Sequence, residues 1–217
     1  MKSKNTLKII CLDFDGVVVD SNNIKSEAFI ELFEPYQEKI REIRLFQQEN
    51  ESLSRFVKFE YIAKNILTSE TSEKIVPEWL KKYSDLTIEK VCKCNEINGA
   101  LDFINYFKKL MPIYLVSATP LNDLNTIIDK RGYRKLFKKV YGSPMKKQDA
   151  FIKIIKNEGV EHNDIIYIGD SQSDFVAASE VNINFYAFNS GRKFQNLISY
   201  DNFEILRQKI IDDYGLL

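Results

Sequence analysis

A single histidine and three cysteines leave this 217-residue chain nearly empty of soft-metal ligands. A structural zinc site needs four nitrogen or sulfur donors, and no second Cys or His pair accompanies Cys92 and Cys94. An odd cysteine count without a framework spacing also excludes a disulfide scaffold and suits a reducing compartment. Neither sign of charge is in excess: Lys+Arg and Asp+Glu are both 31, so the formal net charge is zero. That balance removes the basic excess by which nucleic-acid binders are recognised. The local basic clusters at Lys81-Lys82 and residues 134–139 read as solvated helix faces or turns. Long apolar runs are missing too. The run at 9–12 is too short for a signal-peptide core or a membrane span. The expected location is therefore cytoplasmic, with neither nucleic acid nor membrane as a partner. No internal repeat, low-complexity tract or flexible linker interrupts the chain.

What the chain does have is a series of short apolar runs, each ending in small or acidic residues and each followed by a helical pattern. They fall at 9–12, 113–116, 139–141, 165–168 and 183–188, the last ending before Asn189-Ser190-Gly191. Continuous runs of this length are what strands buried on both faces of a parallel sheet look like. Helices are expected at 99–110, 121–130, 148–157, 173–181 and 202–214. Strand–helix alternation from residue 100 onward predicts an open α/β sheet. The stretch 23–95 breaks this rhythm. It has no convincing strand, and Phe29, Leu32 and Phe33 mark one apolar helix face while Phe56, Phe59, Ile62 and Ile66 mark another. Pro35 and Pro77 are expected to separate helices. The stretch reads as a helical insertion covering an active site, or else as a separate helical domain without a catalytic role. The expected division is 1–22 with 96–217 as an α/β core and 23–95 as the helical part.

Ligands of open parallel sheets sit beyond the carboxyl ends of the strands. There the sequence places Asp13-Phe14-Asp15-Gly16, Ser117-Ala118-Thr119 and Gly169-Asp170-Ser171-Gln172-Ser173-Asp174, with Lys146 and Lys147 opening a helix after Gly142-Ser143-Pro144. Three acids, a hydroxyl and a lysine would converge, a set suited to a phosphate monoester. Asp13 and Asp170 offer the hard oxygen ligands that Mg²⁺ prefers. Asp13 would attack phosphorus as the nucleophile, and Asp15 would protonate the leaving oxygen and later take a proton from water. Ser117 and the backbone N–H groups after it would bind phosphate oxygens, and a lysine would supply fixed positive charge. Each feature also has a bland reading. Asp13 and Asp15 fit a turn pair, Ser117 fits a strand end, and Ser171 with Asp174 fits a helix capping box. The two roles of Asp174 are compatible if it orients the lysine. Lys147 fits the spacing to the following helix better than Lys146 does. His162 reads as a loop residue, and Arg192 as part of a solvated loop after the last run.

Asp13-Phe14-Asp15-Gly16-Val17-Val18-Val19-Asp20-Ser21 resembles the first motif of the haloacid dehalogenase-like (HAD) hydrolase superfamily. The other three follow in the family's order: Leu115-Val116-Ser117-Ala118-Thr119, then Lys147, then Ile168-Gly169-Asp170-Ser171-Gln172-Ser173-Asp174. The resemblance implies an open parallel Rossmann-like sheet with an inserted helical cap domain. It also implies Mg²⁺ held by the Asp13 carboxylate, the Asp15 backbone carbonyl and Asp170. The cap's place and pattern resemble the phosphoglycolate phosphatase and β-phosphoglucomutase branch. An Asp at position 15 fits the phosphatases and phosphomutases, whose alkoxide leaving group needs a proton. Lys25 stands where the β-phosphoglucomutases carry a hinge histidine, a departure that disfavours a mutase.

The reading that follows is a Mg²⁺-dependent phosphatase of a small phosphorylated metabolite, a sugar phosphate or phosphoglycolate-like acid. Asp13, Asp15, Ser117 and Lys147 are its catalytic candidates, and Ser117, Ala118 and Lys25 its substrate-binding candidates. Its rivals are a phosphomutase and a catalytically silent module that binds a phosphorylated ligand. Arg41, Arg44 and Arg55 are further candidates to face the substrate, and the expected assembly is a monomer or weak homodimer.

Overall fold

The computed structural model describes residues 6–50, 53–68, 72–188 and 197–216, so Arg192 lies outside the described residues. The apolar runs form five strands of one sheet, β1 (Ile9–Leu12), β2 (Ile113–Pro120), β3 (Lys139–Ser143), β4 (Ile165–Gly169) and β5 (Asn184–Phe188), which β6 (Ser199–Tyr200) extends at one edge. The strand order is β3-β2-β1-β4-β5-β6, and every neighbouring pair is parallel. All four residues of β1 are buried, as a central strand covered on both faces requires. The order reverses direction between β1 and β4, and such a switch point opens a crevice at the strands' carboxyl ends.

Helices cover the sheet: α5 (Ala100–Phe107), α6 (Leu121–Lys130), α7 (Lys147–Glu158), α8 (Gln172–Glu180) and α9 (Phe203–Tyr214). The strands' period of two sorts their side chains between the two faces. Ile9, Cys11, Tyr114, Val116, Ile165 and Tyr167 pack with Phe151 and Ile154 of α7 and Ala177 and Ala178 of α8. Phe188 of β5 stacks on Phe203 of α9 at 4.2 Å, and Phe203 meets Phe103 of α5 at 5.0 Å. Each such aromatic or aliphatic side chain contributes about 1.5–3 kcal/mol by leaving water.

The chain divides into two compact units, Met1–Asp20 with Cys94–Leu217, and Ser21–Lys93. The second unit holds α1 (Asn22–Leu32), α2 (Ile40–Glu49), α3 (Arg55–Tyr61) and α4 (Ser72–Lys93). Its core is aromatic: Phe33 meets Trp79 edge-on at 4.9 Å, and Phe29 lies 5.5 Å from Phe59.

Several sequence expectations need correction. Pro77 does not separate helices but lies inside α4. It sits near that helix's start and costs only one ladder hydrogen bond, while Val76, Trp79 and Tyr83 stay packed in the unit's core. Phe56 is 47% exposed, although Phe59, Ile62 and Ile66 are buried. Phe56 stands in the first turn of α3, and a π-helical turn at Ile62–Ile66, where the Leu67 N–H donates to the Ile62 carbonyl, follows that helix. β6 carries no apolar run and gave no signal. His162 belongs to a short 3₁₀ turn, with Nδ1 at hydrogen-bond distance from the Val181 carbonyl.

Candidate active site

The site is assembled from the strand ends. The Asp13 N–H donates to the Ile168 carbonyl at 2.9 Å, so the β1–β4 ladder runs one residue past β1 and fixes the Asp13 backbone. Asp13 is 6% exposed and Asp170, directly after β4, is 4% exposed. Carboxylate oxygens of Asp13, Asp170 and Asp174 lie within 4.8 Å of one another. Three buried acids so close repel one another unless cations intervene.

One cation is Lys147. Lys146 is the extended residue that caps α7 and is exposed, whereas Lys147 opens the helix with its side chain 12% exposed. Its Nζ lies 3.1 Å from Asp13 Oδ2, donates to the Tyr167 hydroxyl at 2.9 Å, and pairs with Asp174 Oδ1. An ammonium has three protons. Three acceptors therefore fix its direction, and the charge points at the Asp13 carboxylate. Burial opposes the charged lysine, but Asp13 and Asp174 outweigh it and hold its pKa above the ordinary value.

Asp174 combines the two roles the sequence allowed. Its Oδ2 accepts from the Ser171 N–H at 3.1 Å and the Ser171 hydroxyl at 2.6 Å, closing the capping box of α8. Its Oδ1 accepts from Lys147 and from the Tyr167 hydroxyl at 2.8 Å. Burial pushes the Asp174 carboxyl up, yet Lys147, Ser171 and Tyr167 bring it below its ordinary pKa. A Cβ at Gly169 would lie 2.5 Å from Asp174 Cβ, so only glycine lets this acid approach β4.

Four donors thus occupy the Asp174 carboxylate, which makes it a poor metal ligand despite its closeness. Asp13 is the reverse case. Its Oδ1 is buried and finds no donor among the described residues. Such an orphaned oxygen is costly unless something positive meets it. The Asp13 carboxyl is pushed up to about 8: burial, the largest effect, raises it, Lys147 lowers it, and Asp174, Asp170 and Asp15 raise it further. The protein's own charges leave this carboxylate short of positive charge. A hard divalent cation facing Asp13 Oδ1 and Asp170 fits that deficit.

Asp15 lies in the turn after β1, where Gly16 takes φ 74° and its N–H donates to the Val19 carbonyl at 2.8 Å. The Asp15 Oδ2 accepts from the Thr119 hydroxyl at 2.7 Å. Ser117 is 2% exposed, and its Oγ accepts from the Thr119 N–H at 3.1 Å. That contact uses the Thr119 N–H. The Ala118 side chain itself is exposed. Lys25 belongs to α1 of the helical unit, where its carbonyl accepts from the Tyr83 hydroxyl at 3.2 Å. In the same unit Arg55 donates to the Ser84 hydroxyl at 2.9 Å and lies over the Tyr83 ring, whereas Arg41 and Arg44 are exposed.

Sequence reasoning missed Thr119 and Tyr167. Thr119 stands two residues after Ser117 in a strand, hence on the same face. Tyr167 is the one residue with a polar tip in the run Ile165-Ile166-Tyr167-Ile168.

Comparison with known proteins agrees with this architecture. The family model described as haloacid dehalogenase-like hydrolase matches residues 10–188. No curated protein matches the sequence. Among solved structures, a predicted phosphoglycolate phosphatase from Haemophilus somnus superposes with a TM-score of 0.73 at 16% identity, covering 96% of this chain and 100% of its own. YfnB from Bacillus subtilis, bound to magnesium, gives 0.72 at 17% identity over 94% of this chain and 99% of its own. CbbY from Rhodobacter sphaeroides, solved with phosphate, gives 0.72 at 14% identity over 93% and 96% respectively. With the family model spanning all but the ends of the chain and the aspartate cluster lying at the sheet's switch point, this protein belongs to the haloacid dehalogenase-like hydrolases.

Proposed function

We propose that this chain is a Mg²⁺-dependent phosphatase that hydrolyses a small phosphorylated metabolite, a sugar phosphate or phosphoglycolate-like acid, through an aspartyl-phosphate on Asp13. One observation carries the reading: the Asp13 carboxylate is divided between Lys147, 3.1 Å from Oδ2, and a buried Oδ1 with no donor among the described residues. Asp13, Asp170 and the Asp15 backbone carbonyl would hold the metal. Bound there, Mg²⁺ neutralises charge between a carboxylate nucleophile and an anionic phosphate.

The residues then act in order. Lys147 and the ladder bond to Ile168 hold Asp13 in place, and positioning is most of what phosphoryl transfer asks of a protein. An Asp13 oxygen attacks phosphorus, the bond from phosphorus to the leaving oxygen breaks, and the Asp15 carboxyl gives that oxygen its proton. Asp15, now ionised, takes a proton from water. The resulting hydroxide attacks phosphorus, and the Asp13–phosphorus bond breaks to release phosphate. The Ser117 hydroxyl and the Ala118 N–H receive the phosphate oxygens. We assign the helical unit, inserted between β1 and β2, the part of cap and substrate filter, with Lys25 among its binding groups. The names of the structural relatives, a predicted phosphoglycolate phosphatase and a protein solved with phosphate, support a phosphorylated ligand.

The test is phosphate release from 4-nitrophenyl phosphate and from a panel of sugar, nucleotide and acid phosphates. Turnover is expected with Mg²⁺, none with EDTA, and background only for Asp13→Asn. Folded protein that releases no phosphate from any of them with Mg²⁺ present ends the proposal. Phosphorus NMR of the products separates hydrolysis from isomerisation.

A further inference from the structure

Thr119 has no part in the chemistry above, yet it touches Asp15. Its hydroxyl donates to Asp15 Oδ2 at 2.7 Å. Its own position is fixed from three sides. The Thr119 N–H is held by Ser117 Oγ at 3.1 Å, and the side chain is 7% exposed. Its carbonyl lies against Gly142 of β3, so close that a Cβ there would sit 2.6 Å from the Thr119 oxygen. The register between β2 and β3 shifts between Val116 and Pro120, the stretch that contains Thr119. An irregularity of this kind re-aims a side chain, and such irregularities gather beside active sites.

From this geometry we infer that Thr119 is a positioning residue for the acid–base carboxyl of Asp15. The inference rests on the phosphatase reading. Asp15 stands in a turn, and a two-carbon acid on a turn has rotamers that a proton transfer cannot use. The Thr119 hydroxyl engages one carboxyl oxygen and fixes the plane of the group. The transferred proton is then carried on the other oxygen, Oδ1. As the phosphorus–oxygen bond breaks, the leaving oxygen takes that proton and Asp15 is left as carboxylate, with Thr119 still donating to Oδ2. The same contact orients the carboxylate when it takes a proton from water in the second half of the cycle.

The inference predicts a selectivity that a merely structural threonine would not produce. An alkyl phosphate expels a poor leaving group that needs its proton in the transition state, whereas 2,4-dinitrophenolate leaves without one. For both, kcat/KM reports the steps up to phosphoryl transfer. Thr119→Val keeps the branched shape and removes the donor. It is expected to lower kcat/KM for an alkyl phosphate about tenfold or more, part of the 10²–10⁴ that acid–base catalysis supplies. For 2,4-dinitrophenyl phosphate the change is expected to stay within about threefold. Thr119→Ser keeps the hydroxyl and should restore the wild-type ratio between the two substrates. Thr119→Ala, made in parallel, should repeat the selective loss if the valine variant folds poorly. Equal losses on both substrates, or a serine variant that behaves like valine, overturn the inference. A wild-type protein inactive on both substrates refutes the phosphatase reading itself.

Discussion

At the scale of single residues, the site is governed by where each proton of Lys147 goes. Asp13, Asp174 and Tyr167 each take one, so the ammonium is held by three acceptors rather than by its flexible stem. The Tyr167 ring packs against Phe151 at 4.8 Å, and its hydroxyl also lies 3.2 Å from the Val116 carbonyl. Tyr167→Phe preserves the ring and deletes the hydroxyl that accepts from Lys147 and donates to Asp174. It should lower kcat about tenfold, the equivalent of about 1.4 kcal/mol, with KM changed less than about twofold and the melting temperature nearly unchanged. Steady-state kinetics beside a thermal melt checks this. Gly169→Ala should be harsher, because its Cβ cannot coexist with Asp174 at 2.5 Å. A loss of about 1–3 kcal/mol in urea unfolding is expected, together with loss of activity. Asp13 and Asp170 are legible in the sequence because each directly follows an apolar run, and Lys147 because of its spacing to the apolar residues of the following helix. Thr119 and Tyr167 are not, because their roles depend on which strand lies alongside, and a linear pattern does not contain that.

At the scale of elements, the strands' apolar runs specify the sheet, and the ends of those runs carry the chemistry. The runs at 9–12 and 165–168 coincide with β1 and with all but the last residue of β4, since fully buried parallel strands leave an unbroken apolar signature. β2 runs past its apolar segment through Ser117 to Pro120, which hydropathy does not show because main-chain pairing carries it onward. β6 has two residues and no such signature. Pro77 lies within α4 for a related reason: packing among Phe33, Phe59 and Trp79 overrides a local breaker signal. The largest single anchor of α7 is Phe151, fully buried between helix and sheet. Phe151→Ala should destabilise the protein by about 3–5 kcal/mol in urea titration. Because α7 also presents Lys147, the fall in activity should exceed what the folded fraction alone predicts.

At the scale of the whole molecule, chemistry and stability occupy opposite ends of the sheet. The aspartate cluster lies at the carboxyl ends of the strands, while an ion pair joins Lys8, just before β1, to Asp164, just before β4, at 2.8 Å. Burial raises the Asp164 carboxyl, but Lys8 and the Glu161 N–H outweigh it and leave its pKa below the ordinary 3.8. A depressed acid contributes stability above its unfolded pKa and loses it as pH falls through the folded value. Urea midpoints should therefore decline below about pH 4, and Lys8→Met should flatten that decline while leaving the ratio of kcat to KM at neutral pH unchanged. At the opposite end, Mg²⁺ should raise the melting temperature. Saturation at a hundred times Kd adds about 2.7 kcal/mol, which EDTA should remove and Asp170→Asn should abolish.

Placing the helical unit between β1 and β2 also has a consequence for biosynthesis. The central strand leaves the ribosome before either of its neighbours, since β2 begins at Ile113 and β4 at Ile165. Its four apolar residues wait through the translation of the whole insertion, whose aromatic core can condense on its own meanwhile. Among the described strands, the one leading to Asp13 is thus the first synthesised and waits longest for its second neighbour, and until residue 169 emerges it is the part of the nascent chain most in need of a chaperone.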